Sequence, residues 1–232
     1  MKMKNGFTLA ETLITISLIA ILASVAMPAL NNLKPNQEML MLKKVYYLTG
    51  RMVNELINDD DFYPDADFEN QSGFSNVDNQ PPAMYHGHTY EGETKFCGLF
   101  AARMNVKGET HCDSGITNAT VFTPNTPPTA NADGSAGHFT TADGVVWVLP
   151  INDFDKGGAL DAKQTIYVDV NGEKPGNCFA GTANCSKPDR FEIKLDRFGR
   201  LYIEDETTRK YLSLMDTTKT YNEIKDIQTT SP

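Results

Sequence analysis

The sequence predicts an α+β protein: one long N-terminal helix, apolar in its first half and amphipathic in its second, packed on a 3–4 stranded antiparallel sheet with long loops. Three observations carry this prediction. Residues Thr12 to Leu33 contain no charged side chain. Residues Gln37 to Asn58 repeat apolar side chains at helical spacing. Short β-branched and aromatic runs, separated by turn residues, occupy Gly144 to Glu204.

The apolar density peaks from Leu13 to Leu30, and a helix needs about 20 such residues to cross a bilayer. Lys2 and Lys4 precede it, and "MKMKNG" has no acidic residue. That bias keeps the amino end in the cytoplasm and exports the rest. Glu11 stands near the start of the run, where a carboxylate without a partner is costly. A secretory signal peptide cut near Ala23–Ala26 gives Glu11 no purpose, and neither does a plain signal anchor. A cut between Gly6 and Phe7 does. It removes both lysines and creates an ammonium on Phe7, one helical turn before Glu11, to pair with it in the same chain or a neighbour. Pro28 removes a backbone donor and crowds the preceding turn, so a helix break or kink is expected there, with Pro35 a second such point.

The amphipathic half follows. Met39, Leu42, Val45, Tyr46, Thr49, Met52, Val53 and Leu56 form one stripe, read as core packing on a sheet. "NDDDFYPDADFEN" reads as a solvated acidic loop. Residues 73–143 are rich in Gly, Pro, Asn, Thr and Ser and read as a long loop, with a short helix or strand near Phe96–Met104. Strands are expected in "GVVWVLP", in "QTIYVDVNG" with its Asn-Gly turn signal, and at Phe191–Leu195 and Leu201–Glu204 around a glycine turn. The polar residues from Thr207 onward are expected to wrap the surface or move freely. The division is therefore 1–6, 7–30, 31–58 and an exported domain 59–232, with the long loop at 73–143 and the sheet at 144–205.

The chain of 232 residues has a formal charge of -9, so a basic nucleic-acid-binding face is not expected. Its four cysteines, Cys97, Cys112, Cys178 and Cys185, suit disulfides in an exported chain. Short loop closure favours the local pairs, Cys97 with Cys112 and Cys178 with Cys185. Zinc is the competing reading, though no C-x-x-C spacing occurs, and "HGH" at His86–His88, with His111 and His138, is a weak metal pattern. Cys97 or Cys112 beside His111 is the nearest approach to a nucleophile pair. There is no phosphate-binding glycine run, G-x-S-x-G or H-E-x-x-H, so no enzyme is expected.

"KNG|FTLAETLI" resembles the class III leader and cleavage site of type IV prepilins and type II secretion pseudopilins, and Pro28 falls where those proteins carry a helix-breaking proline. The resemblance covers about 25 residues at the amino end. It implies a pilin-like fold, cleavage between Gly6 and Phe7 by a prepilin peptidase that also N-methylates Phe7, and assembly in which Glu11 neutralises the Phe7 amine of a neighbouring subunit. The implied partners are copies of the chain, other pilin-like subunits, the peptidase and an inner-membrane assembly platform. The implied location is a bacterial inner membrane, single-pass with the amino end cytoplasmic and the C-terminal domain extracytoplasmic, and then a filament. A weaker resemblance, over the sheet region, favours a secretion pseudopilus over a pilus for adhesion, motility or DNA uptake. It also suggests calcium at Asp169, Asn171, Glu173 and Asp189, against a plain hairpin with a loop pinned by Cys178 and Cys185; no cofactor is required. A membrane-anchored binding protein that does not polymerise is the alternative of a different class.

Overall fold

The computed structural model describes residues 8–32, 37–64, 73–74, 80–112, 122, 136–151, 154, 162–172, 174 and 177–213, with backbone only at 25–32. The chain divides into two compact units, Met1–Gln37 and Glu38–Pro232.

The first unit contains one helix, α1 (Leu9–Asn32). It has apolar side chains around its whole circumference. Leu9, Leu13, Ile14, Ile16, Leu18, Ile19, Ile21 and Leu22 are all exposed. A helix that is apolar all round belongs inside a larger apolar body, a bilayer or a bundle. Among the described residues no helix is long and apolar enough to cross a membrane. The expected span, 7–30, runs beyond the residues whose side chains are described. Pro28 does not break α1, because helical backbone continues past it to Asn32. Proline deletes a single donor, and the neighbouring hydrogen bonds carry the helix through.

The second unit opens within α2 (Gln37–Ile57), which buries Leu42, Val45, Thr49, Met52, Val53 and Leu56. These are six of the eight positions of the stripe that the sequence spacing predicts; the other two, Met39 and Tyr46, are half-buried. Thr49 satisfies its hydroxyl by donating to the Val45 carbonyl at 2.8 Å. Next comes a hairpin of β1 (Ala83–Tyr85) and β2 (His88–Tyr90), paired antiparallel. His86 and Gly87 turn it, both at positive φ (49° and 81°), as a two-residue turn matched to strand twist requires. A short 3-10 turn leads to α3 (Lys95–Ala102).

The main sheet consists of β3 (Ala136–Thr140), β4 (Val146–Pro150), β5 (Lys163–Asp169), β6 (Arg190–Asp196) and β7 (Leu201–Tyr202). These strands lie in that order, each antiparallel to the next. Among the described residues the sheet thus has five strands rather than three or four. Both β3 and the β1–β2 hairpin arise within the segment expected to be one long loop. A last helix, α4 (Glu206–Ser213), stands where a wrapping or mobile tail is expected. Asp205 caps it, accepting from the Thr208 amide and hydroxyl at 2.6 and 2.7 Å.

One face of the sheet presents Trp147, Leu149, Ile166, Val168, Phe191, Ile193 and Leu195 to a core shared with α2 and α3. On the opposite face Val148 and Tyr167 pack with Phe122 and Phe179. Because both faces are covered, "VVWVLP" reads as a continuous apolar run rather than an alternating one. Register places Trp147 opposite Val168 and Ile166 opposite Ile193. The β3 edge is shielded by bridges from Val106 to Thr141 and from His111 to His138.

Candidate functional site

The amino end of α1 is built around Glu11. Its carboxylate Oε2 accepts from the Thr8 amide at 2.8 Å and from the Thr8 hydroxyl at 2.9 Å, while the Glu11 amide donates to Thr8 Oγ1 at 3.3 Å. This is a reciprocal capping box on "TLAE", which satisfies donors that a helix start leaves without intrahelical partners. Glu11 also lies in the first turn, where the helix dipole favours an anion. The carboxylate therefore has a local purpose in the chain. Its partner here is Thr8, while Gly6 and Phe7 lie outside the described residues. The T-x-x-E spacing that announces such a cap is visible in the sequence, but the apolar context draws attention to a charge partner instead.

Two disulfides brace the second unit. Cys97 of α3 is joined to Cys112 beside β3, with Cα atoms 5.6 Å apart, and Cys178 to Cys185, at 5.8 Å. The first fixes α3 against the β3 edge. Gly137 in β3 has no room for a side chain: an added Cβ would meet Cys97 Sγ, and would lie 2.8 Å from the His111 carbonyl oxygen and 3.0 Å from Cys112 Cα.

The second disulfide closes a loop held by Asp189. Asp189 Oδ1 accepts from the Cys178 amide at 2.8 Å, and Oδ2 accepts from the Asn177 amide at 2.7 Å and Asn171 Nδ2 at 3.0 Å. Asp169 is committed elsewhere. Its Oδ2 accepts from Arg190 Nε at 2.8 Å and its Oδ1 from the Asn171 amide at 3.2 Å. Both partners of the Asp169–Arg190 pair are buried, and burial raises the Asp169 pKa against the pull of the guanidinium. The structure thus brings Asp169, Asn171 and Asp189 together, but as donors and acceptors to one another and to the backbone. Glu173 lies outside the described residues. Among the described residues no group of three or more His, Cys, Asp or Glu side chains could hold a metal ion. Of the four histidines, His111 and His138 meet as a ring stack with centroids 4.7 Å apart, while His86 stacks on Tyr85 in the hairpin.

Sequence reasoning missed a junction centred on Arg103. Its guanidinium reaches Glu55 and Asp59, both at 3.3 Å, and lies over the rings of Phe62 and Tyr85 at 4.7 and 5.2 Å. One side chain so ties the end of α3 to the end of α2 and to the hairpin.

No curated protein and no solved structure matches this chain. What does match lies at the start: residues 1–27 match the prokaryotic N-terminal methylation motif, the class III leader found on type IV pilins and pseudopilins.

Proposed function

We propose that the chain is a structural, non-enzymatic subunit of a type IV filament. A prepilin peptidase cuts between Gly6 and Phe7 and methylates the new Phe7 amine. The observation that carries this reading is the methylation motif over residues 1–27, which ends within an apolar run whose described side chains have no cover. Before assembly the run is stored in the inner membrane, with the second unit outside the cytoplasm. In the filament the same apolar surface packs against other copies, since lipid and neighbouring helices are similarly apolar. Glu11, already at the helix start, then supplies the carboxylate for the Phe7 ammonium of an adjacent subunit. Within this class we favour a secretion pseudopilus, on the sheet-region resemblance and the net charge of -9, which disfavours direct DNA contact. N-terminal mass spectrometry of the mature protein tests the proposal. N-methyl-Phe7 is expected; an intact Met1, or a cut near Ala26, overturns it.

A further inference from the structure

We infer that the outward face of α2 docks on the acidic turn just beyond the α2 of a second copy, in a head-to-tail contact. The inference rests on the filament reading above and adds the surface through which the second units meet.

The outward face of α2 consists of Leu40, Lys44, Tyr47, Arg51 and Asn54, all exposed and spaced three or four residues apart. It is unusual in two ways. Leu40 and Tyr47 are 40% and 65% exposed, although apolar side chains elsewhere on this helix are buried or half-buried. The only charges on the face are positive, in a chain of net charge -9. Lys44 pairs with Asp143 at 2.7 Å and Arg51 with Glu55 at 2.7 Å, but the two cationic side chains are 56% and 72% exposed. Exposed pairs of this kind contribute little and are exchanged at little cost.

The complement lies at the other end of the same helix. α2 ends at Ile57, where its dipole is negative, and Asp59, Asp60 and Asp61 follow. Arg103 occupies Asp59, whereas Asp60 and Asp61 are exposed and have no cationic partner among the described residues. Acidic chains repel one another unless opposite patches are brought together. The basic, tyrosine-bearing face and the acidic turn supply such patches, with Arg51 about 9 Å along the axis from the helix end at Ile57 that the turn follows. Because the two surfaces differ, the contact leaves one of each unused at the ends and propagates as an open helical array rather than closing as a dimer.

A charge exchange tests this in the full-length chain expressed with its assembly machinery, read as the fraction recovered in sheared filaments. Arg51→Glu and Asp60→Arg are each expected to lower that fraction about tenfold, and the double variant to return to within about twofold of wild type. If either single variant assembles like wild type, or the double variant is no better than the singles while its melting temperature is unchanged, the contact is wrong although the filament reading stands. A second measurement covers variants that fail to fold. Tyr47→Cys and Asp61→Cys in one chain should form an intermolecular disulfide ladder in filaments, and wild-type-like filaments without a ladder overturn the contact. If the unaltered chain carries N-methyl-Phe7 yet forms no filament, the filament reading fails and this contact with it.

Discussion

The Thr8 amide and hydroxyl both donate to a single carboxylate oxygen of Glu11, at 2.8 and 2.9 Å. A residue that looks like a functional charge in an apolar run is thus also a helix cap. The two roles are separable by substitution. Glu11→Gln keeps an oxygen for Thr8 but loses the charge, whereas Glu11→Ala loses both. If the carboxylate neutralises a neighbour's amine, both variants should be processed at Phe7 and both should fail to assemble. If the cap is what matters, Glu11→Gln should assemble nearly as wild type, and Thr8→Val should be as defective as Glu11→Ala. Filament yield and N-terminal mass spectrometry read the two steps independently.

Lys95 is buried, and among the described residues its ammonium meets the Pro81 carbonyl, at 3.0 Å, and the face of Tyr63, 4.5 Å away. Burial lowers its pKa from 10.5 to about 8. Between those values the unfolded chain holds a proton that the folded chain has released, so stability rises with pH over that window. Tyr63 acts the other way: burial raises its pKa far above the usual 10, so its contribution falls once the unfolded tyrosine ionises. The melting temperature should therefore climb from pH 8 and turn over near pH 10. Lys95→Met should remove the climb and be more stable at pH 7, by up to about 3 kcal/mol. Melting curves of the two proteins across this range decide the matter.

Asp196 is the hub of the β6–β7 turn. Its carboxylate accepts from the amides of Phe198 and Arg200 at 3.0 and 2.9 Å, from Arg200 Nε at 2.6 Å and from the Tyr202 hydroxyl at 2.9 Å. Burial opposes the charge, yet the Arg200 backbone and side-chain donors and Tyr202 outweigh it and hold the pKa below the usual carboxylate value. A depressed folded pKa means that this stabilisation is present above the unfolded value of 3.8 and is lost as pH falls through the folded one. Asp196→Asn should cost about 1–3 kcal/mol at neutral pH and flatten the acid limb of the stability profile. Denaturant titrations at neutral and acid pH measure both effects.

Which of these features the sequence revealed follows from the range of the forces involved. The α2 stripe and strands β4 to β6 are legible because burial imposes a period on local residues. By contrast β3, "AGHFT", is short, contains glycine and histidine, and owes its place to pairing with β4 and to the Cys97–Cys112 bridge. The β1–β2 hairpin hides behind a His-Gly turn instead of Asn-Gly. α4 carries a readable cap at Asp205, but its polar composition masks it. At the amino end, charge and spacing revealed the leader while the T-x-x-E cap went unread. Asp189 could not be placed from sequence, since its donors, Asn171 and the adjacent Asn177 and Cys178, lie 11 to 18 residues away along the chain.

That arrangement also bears on calcium. Asp189 already accepts three N–H donors and Asp169 accepts from Arg190 and Asn171, so a cation would have to displace bonds already formed. Adding calcium or a chelator should leave the melting temperature unchanged. Asp189→Ala, in contrast, should destabilise the protein by about 2–3 kcal/mol, because two loop amides and one side-chain amide lose a charged acceptor together. The loss should persist in the Cys178→Ser/Cys185→Ser background if the carboxylate shapes the loop by itself. It should largely vanish there if the disulfide is what makes the carboxylate's donors converge. A calcium-dependent rise in melting temperature that Asp189→Ala abolishes would return the loop to the metal reading.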